Sequence, residues 1–347
     1  MYILLFIGAY SQLPFLTALG IVYFFISAHN LMQSLGRKIP FIELTIFLTI
    51  LQVIIAPILE YHLFFNEVFG VMKVSELQYL SFVIPSTMVF HLGLKSGVGK
   101  YEVLFSDPSL ELFKTNRSKY IKRGQSLIVL GISFTLLAKL FSIPAIGFIV
   151  VLFSMLKFIG LFYLWMASSR NFTFYFLLVM IPFILDTLKS TIFIDLIVWS
   201  VFFYSFYLIK AKANVVKLTV FSLIAFFSLV IFQSVKYDYR HELWWGSHKN
   251  ANTIQKITLL GNLISQRIAT LNQEEIKLIG SVVNIRFNQG WIISDVMHNT
   301  DKLGNHANFK YLGPELLGVL LPRFLFPNKI STSDNRKFNE YTGWKLG

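Results

Sequence analysis

The sequence predicts an all-α fold: a polytopic membrane helix bundle followed by a large extracytoplasmic loop with amphipathic helices of its own. Three observations predict it. Of the 347 residues, 55% are hydrophobic and only 14% charged, against roughly 25% charged in soluble domains. Apolar stretches approaching the roughly 20 residues that cross a bilayer recur through residues 1–235. Beyond Val235 the composition shifts: residues 236–347 hold 14 Lys+Arg, 9 Asp+Glu and four of the seven His.

About eight spans are read in order: Tyr2–Ala28, Phe41–Leu59, Gln78–Leu94, Gln125–Ala138, Phe148–Ala167, Phe172–Leu185, Thr191–Ile209 and Leu218–Val235. The first is long enough for a short re-entrant piece plus a span, broken near Pro14, where proline removes a backbone donor. The fourth and sixth are short, so tilted helices or displaced ends are expected there. Met1–Asn30 lacks a basic n-region and a small-residue cleavage site, and reads as a retained span.

Orientation follows from the connections. Those after spans one, three, five and seven hold Arg37 and Lys38; Lys95, Lys100, Lys114, Arg117, Lys119, Lys122 and Arg123; Arg170; and Lys210, Lys212 and Lys217. Those after spans two, four and six hold only Lys73, Lys139 and Lys189. The positive-inside rule puts the first set in the cytoplasm, and the N-terminus and residues 236–347 outside.

The tail opens on an aromatic girdle, YDYRHELWW, suited to the headgroup zone. Over Asn252–Asn272, Ile254, Ile257, Leu260, Ile264, Ile268 and Leu271 fall on one helical face. Glu274–Asn299 reads as a second helix, interrupted near Gly290, and Gly313-Pro314 starts a short apolar segment ending at Pro322. The final YTGWKLG carries no sign of a natural end, and further spans are expected beyond it.

Several chemistries are excluded. With no cysteine there is no disulfide framework, haem-attachment motif or thiolate zinc site. No P-loop, GxGxxG, GxSxG or DxD-type nucleotide-sugar motif is present, and the cytoplasmic connections are too short for a nucleotide-driven domain. The net charge of +13 is charge flanking membrane spans and does not point to nucleic acid.

The residues that could carry chemistry lie mostly in the tail. In LPRFLFPNK, Arg323 and Lys329 sit between and beyond Pro322 and Pro327. They read either as cations meeting lipid phosphates or as cations aimed by the prolines at a substrate phosphate. Arg286 lies beside the apolar stripe Ile276, Ile279, Val283 and Phe287, as an exposed helix arginine or a second phosphate clamp. His298, Asp301 and His306 lack any metal-ligand motif and read as a solvated loop, and His241 and His248 as interfacial. Within the spans, Glu43, Lys139, Lys157, Asp186 and Asp195 are unfavourable to bury unpaired; Asp186 and Lys189 are spaced to pair across one turn. Such charges would serve an ion-coupled transporter, although matching Gly/Pro interruptions in two halves are missing.

The tail resembles the O-antigen polymerase family, the repeat-unit polymerases of bacterial envelopes. The resemblance rests on Arg286 in RFNQG, on Gly313, Pro314 and Glu315, and on Pro322, Arg323, Pro327 and Lys329 in PRFLFPNK. Ile330 stands where many members have a further proline. The motif covers about ten residues; the polytopic pattern over the rest is generic. The resemblance implies a membrane glycosyltransferase that joins undecaprenyl-diphosphate-linked oligosaccharide units into O-antigen or exopolysaccharide at the outer face of the cytoplasmic membrane. It implies no nucleotide, metal or other cofactor, and as partners the bilayer, a flippase and a chain-length regulator. Arg286 and Arg323 would then be catalytic, stabilising charge on the leaving diphosphate, and Lys329, Glu315 and Trp291 would bind substrate. The base stays open among Asp295, Asp301, Glu315 and His298. A related ligase and a flippase or ion-coupled transporter remain alternatives.

Overall fold

The structure is a computed structural model. It describes residues 2–64, 71–98, 107–140, 147–190, 194–211, 215–249, 251–270, 272–303, 310, 313–314, 316–317 and 335–344. Among these residues every regular element is helical and none is a strand. The helices are α1 (Tyr2–Tyr10), α2 (Phe15–Ser34), α3 (Phe41–Phe64), α4 (Glu76–Val98), α5 (Asp107–Thr115), α6 (Arg117–Leu140), α7 (Gly147–Ser154) and α8 (Leu156–Met166). They continue as α9 (Phe172–Ser190), α10 (Ile194–Ala211), α11 (Val215–Trp244), α12 (Thr253–Ala269), α13 (Gln273–Phe287), α14 (Gly290–Leu303) and α15 (Asn335–Thr342).

The chain is a multi-pass membrane protein. Among the described residues five stretches are long and apolar enough to cross a membrane: Phe15–Ser34, Phe41–Phe64, Glu76–Gly97, Arg117–Ala138 and Ile149–Met166. Phe172–Thr187 and Val198–Lys210 are apolar but shorter. Pro14 does divide the first stretch: α1 ends at Tyr10, and the Pro14 carbonyl accepts from the Ala18 amide to open α2. The fourth span begins at Arg117 rather than Gln125, because Lys and Arg are good helix formers whose long stems let the helix run on past its apolar part. For the same reason α11 runs on through the aromatic girdle to Trp244.

Two compact units divide the chain: Met1–Asn30, Ile42–Gly99 and Ile276–Gly347 in one, Leu31–Phe41 and Lys100–Glu275 in the other. In the second, α6 and α8 meet through glycine. A Cβ on Gly160 would lie 2.5 Å from the Gly124 carbonyl oxygen, and one on Gly131 would strike the backbone of Lys157. Small residues let backbones approach where lipid offers no hydrophobic drive between helices. Around that crossing Phe158 stacks on Trp199 at 4.1 Å and Phe162 on Phe206 at 4.0 Å. At one end of these helices Ser168 takes a left-handed φ of 50°. Arg117 donates to the Ala167 and Ser168 carbonyls, and Lys210 Nζ to the Trp165 carbonyl. Gly36, at φ 80°, lies against the Leu208 carbonyl, so four connections meet at that end.

A smaller core in the same unit seats α12 on α11, with Leu259, Leu260 and Leu263 against Tyr239 and Leu243. Asn252 and Gln255 form a reciprocal capping box at the start of α12. The stripe read from the sequence is mostly outward: Ile254, Ile257 and Ile268 are exposed, and of the stripe only Leu260 joins that core. Leu259 and Leu263, one turn apart beside the stripe, give α12 a second apolar face, and that one docks.

In the first unit, α3 contains two π-helical segments, Leu51–Ile55 and Glu60–Phe64, on either side of Pro57. Proline has no N–H, so the carbonyls four and five residues before it, Val53 and Gln52, lose their helical donors. Both find others. The Tyr79 hydroxyl donates to the Val53 carbonyl at 2.7 Å, and the Gln289 amide to the Gln52 carbonyl at 3.1 Å. The core around them is Ile46, Ile50, Ile54, Ile58, Leu80, Val83 and Ile84.

Candidate functional site

Helices α13 and α14 form a hairpin laid against α3. The break near Gly290 falls at Asn288–Gln289. Gly280 lies beside Phe64, Asn284 donates to Glu60, and Gln289 reaches Gln52, so α13 runs antiparallel to α3. Gln52 stands midway along the 24 residues of α3, and the hairpin tip is therefore level with the middle of a membrane-length helix. Irregular backbone at that depth is tolerated only when buried in protein. Gly290 makes the approach possible: a Cβ there would collide with the Tyr79 hydroxyl and sit 2.5 Å from Pro57 Cγ.

The interface is polar and closed. Glu60, 2% exposed, accepts from Asn284 Nδ2 at 3.0 Å. One turn on, Asn288 is fully buried; its Oδ1 accepts the Trp291 amide at the start of α14, and its Nδ2 approaches Met72 Sδ at 3.7 Å. Ser294 Oγ accepts the successive amides of Lys73 and Val74, and the Tyr61 hydroxyl donates to the Val74 carbonyl. Asp295, also buried, accepts from Trp344 Nε1 at 2.6 Å. Burial pushes the Asp295 carboxyl above the usual carboxylate range, against the Trp344 hydrogen bond and the Lys73 and His298 charges. Asn299 Nδ2 donates to the Thr342 carbonyl, and Trp291 meets Trp344 edge to face at 5.8 Å, so α15 is fastened to α14.

At the end of the same helices, His62 Nε2 lies 3.0 Å from Glu76 Oε1, and Thr17 Oγ1 donates to that oxygen at 2.5 Å. Among the described residues no group of three or more His, Asp or Glu gathers as metal ligands.

Of the residues singled out in the sequence, Arg286 is exposed on the last turn of α13 and Trp291 is half-buried in the first turn of α14. Arg323, Lys329 and Glu315 lie outside the described residues, as do His306 and the side chains of Asp301, Lys139 and Lys189. His298 is exposed and Asp295 buried. Lys157, 9% exposed, donates to Thr135 Oγ1 and lies over the Phe158 ring. Glu43 and Asp186 are half-buried, and Asp195 is exposed. The sequence reading passed over Glu60, His62, Glu76, Asn284, Asn288 and Ser294. A signal existed for two of them: Glu60 and His62 follow Pro57 inside an otherwise apolar run, APILEYHLFF.

The chain matches no family model, no curated protein and no solved structure.

Proposed function

We propose that the protein polymerises undecaprenyl-diphosphate-linked oligosaccharide units into O-antigen or exopolysaccharide at the outer face of the bacterial cytoplasmic membrane. One observation carries the reading. The segment PRFLFPNK lies in sequence between α14 and α15, and those two helices are clamped to each other by Asn299, Thr342, Asp295 and Trp344. Its two flanks are anchored together at the end of the membrane helices where α3 leads to α4. The positive-inside count puts that connection outside, and Ser294 of the tail binds it directly. The count puts Gly36, Arg117, Ser168 and Lys210 at cytoplasmic ends, and these meet one another.

In this mechanism the anomeric carbon of the growing chain passes from its lipid diphosphate to a hydroxyl of the next unit. Arg286 and Arg323 stabilise the charge that develops on the diphosphate, and Lys329 supports them. Lys329, Glu315 and Trp291 hold the sugars. No nucleotide is consumed, because the diphosphate is the leaving group. The chain works on units delivered by a flippase and beside a chain-length regulator.

The test is a gel of surface polysaccharide from a strain lacking the gene, complemented with wild type or Arg323→Ala. Wild type restores a ladder and the variant leaves single repeat units. A full ladder from the variant would reduce Arg323 to a lipid anchor.

A flippase or transporter of the same lipid-linked glycan is favoured by a different observation, the polar hairpin tip midway along α3. In that case single repeat units accumulate on the cytoplasmic side of the mutant membrane. Under the polymerase reading they accumulate outside.

A further inference from the structure

Given the polymerase reading, we propose that His62, held by Glu76, is the general base that takes the proton from the acceptor hydroxyl. Of the residues considered for this role from sequence, His298 is exposed on α14 and Asp295 is closed to a substrate. Asp295 is 3% exposed and already occupied by Trp344 Nε1. The side chains of Asp301 and Glu315 lie outside the described residues.

His62 has the geometry a base needs. With its hydrogen on Nε2, the ring donates to Glu76 Oε1 at 3.0 Å. That fixes the tautomer with the lone pair on Nδ1, and Nδ1 has no hydrogen-bond partner among the described residues. Thr17 Oγ1 binds the same carboxylate oxygen, so α2 and α4 together orient the ring on α3. The two side chains are 32% and 20% exposed, which leaves them within reach of a substrate. His62 is in the last turn of α3 and Glu76 in the first turn of α4, at the membrane boundary. A carrier lipid and its sugar meet there. Glu76 from α4 is the ion-pair partner of His62, Tyr61 and Glu60 adjoin it in sequence on α3, Lys277 lies on the α13 turn before Gly280, which sits beside Phe64, and α2 contributes the uncharged Thr17.

The molecule has another histidine–carboxylate pair, His248 and Glu242, with Ser247 alongside. There the serine and the carboxylate both approach Nδ1 of the ring. A relay needs them on opposite nitrogens, so that cluster is a turn lock.

In the step, the acceptor O–H proton passes to His62 Nδ1 as the oxygen bonds the anomeric carbon of the growing chain. The bond from that carbon to the diphosphate breaks, and its electron pair leaves with the lipid diphosphate. The imidazolium then returns its proton to water. His62 touches the substrate and is catalytic; Glu76 acts through it and is a positioning residue.

The experiment uses full-length protein in lipid nanodiscs, supplied with lipid-linked repeat units extracted from a strain blocked in polymerisation. Chain growth is followed between about pH 5 and 8. His62→Gln, whose amide still reaches Glu76, is expected to lower kcat by about 10²–10⁴-fold. It should also flatten the rise of rate with pH, with an unchanged melting temperature. Glu76→Gln should lower kcat less and leave KM unchanged. Growth by His62→Gln at the wild-type rate would overturn the assignment. So would a variant that melts early and loses the same fraction of rate at every pH, since that marks a structural role. Wild type that grows no chains removes the polymerase reading and this assignment with it; wild type and His62→Gln growing equally remove only the assignment.

Discussion

The two units of this protein solve one problem, holding helices together in lipid, by opposite means. In the second unit α6 and α8 touch backbone to backbone at Gly124, Gly131 and Gly160, and rings fill the space around them. In the first, α13 and α14 are joined to α3 and its neighbours by Glu60, Asn284, Asn288 and Ser294, all buried and all hydrogen-bonded. Glycine contact is satisfied by fit alone and tolerates no added atom. A buried polar interface tolerates volume but demands every partner. The first kind suits a scaffold; the second suits a region that must place polar groups where a substrate arrives.

The largest effect should come from the glycine crossing. Gly160→Leu would drive a side chain into the Gly124 carbonyl and Ile128, and we expect loss of the folded protein from membranes, read by detergent-resistant abundance. Gly290→Ala extends the test to the first unit, where a Cβ would meet the side chains of Tyr79 and Pro57; a similar loss is expected.

Next comes Asn284→Ala, which strips Glu60 of its amide donor. Leaving a buried acceptor without its donor costs about 1–3 kcal/mol. Replacing both, Glu60→Leu with Asn284→Leu, should recover most of that stability. If the double variant is no better than the single, the first unit is also held by fit, and the contrast fails.

Trp344→Phe removes the donor to a buried carboxyl and should cost about 1–3 kcal/mol. The same site gives a pH test. The folded Asp295 carboxyl holds its proton above the usual carboxylate range, so the folded state binds more protons than the unfolded one. Its contribution to stability is full below the ordinary carboxyl pKa and is lost as pH rises through the raised folded value. Asp295→Asn should flatten that decline in a series of melts.

The smallest effect on stability belongs to Arg286→Ala. The side chain is exposed, and we expect less than about 0.5 kcal/mol. A lost polysaccharide ladder with an unchanged melt would separate function from fold at that residue.

Much of the helical plan was legible from the chain. Apolar length marked the first five of the eight spans read, Pro14 marked the first break, and Gly290 marked the hairpin tip within two residues. Periodicity told less about direction. In α12 the isoleucine stripe was regular, yet Leu259 and Leu263 beside it are the ones that pack. Two apolar faces on one helix cannot be ranked without their neighbour. The polar interface was hidden for a different reason: Glu60 and Asn284 are 224 residues apart, and an asparagine in a tail helix looks solvated until its partner is known. His62 and Glu76 are 14 apart across a connection whose length gives no hint of closure.

The π-helical segments either side of Pro57 also bear on the order in which the protein assembles. The carbonyl of Gln52, the carboxylate of Glu60 and the amides of Lys73 and Val74 enter the membrane long before Gln289, Asn284 and Ser294 have been synthesised. At about 5–20 residues per second, the 224 residues between Glu60 and Asn284 take roughly 10–45 s to translate. Through that interval α3 must keep water or provisional partners at a cleft that only the tail can close. The first unit is thus the last to mature, and a ribosome that stalls before Gln273 would leave a nascent chain with the second unit nearly whole and the first still open.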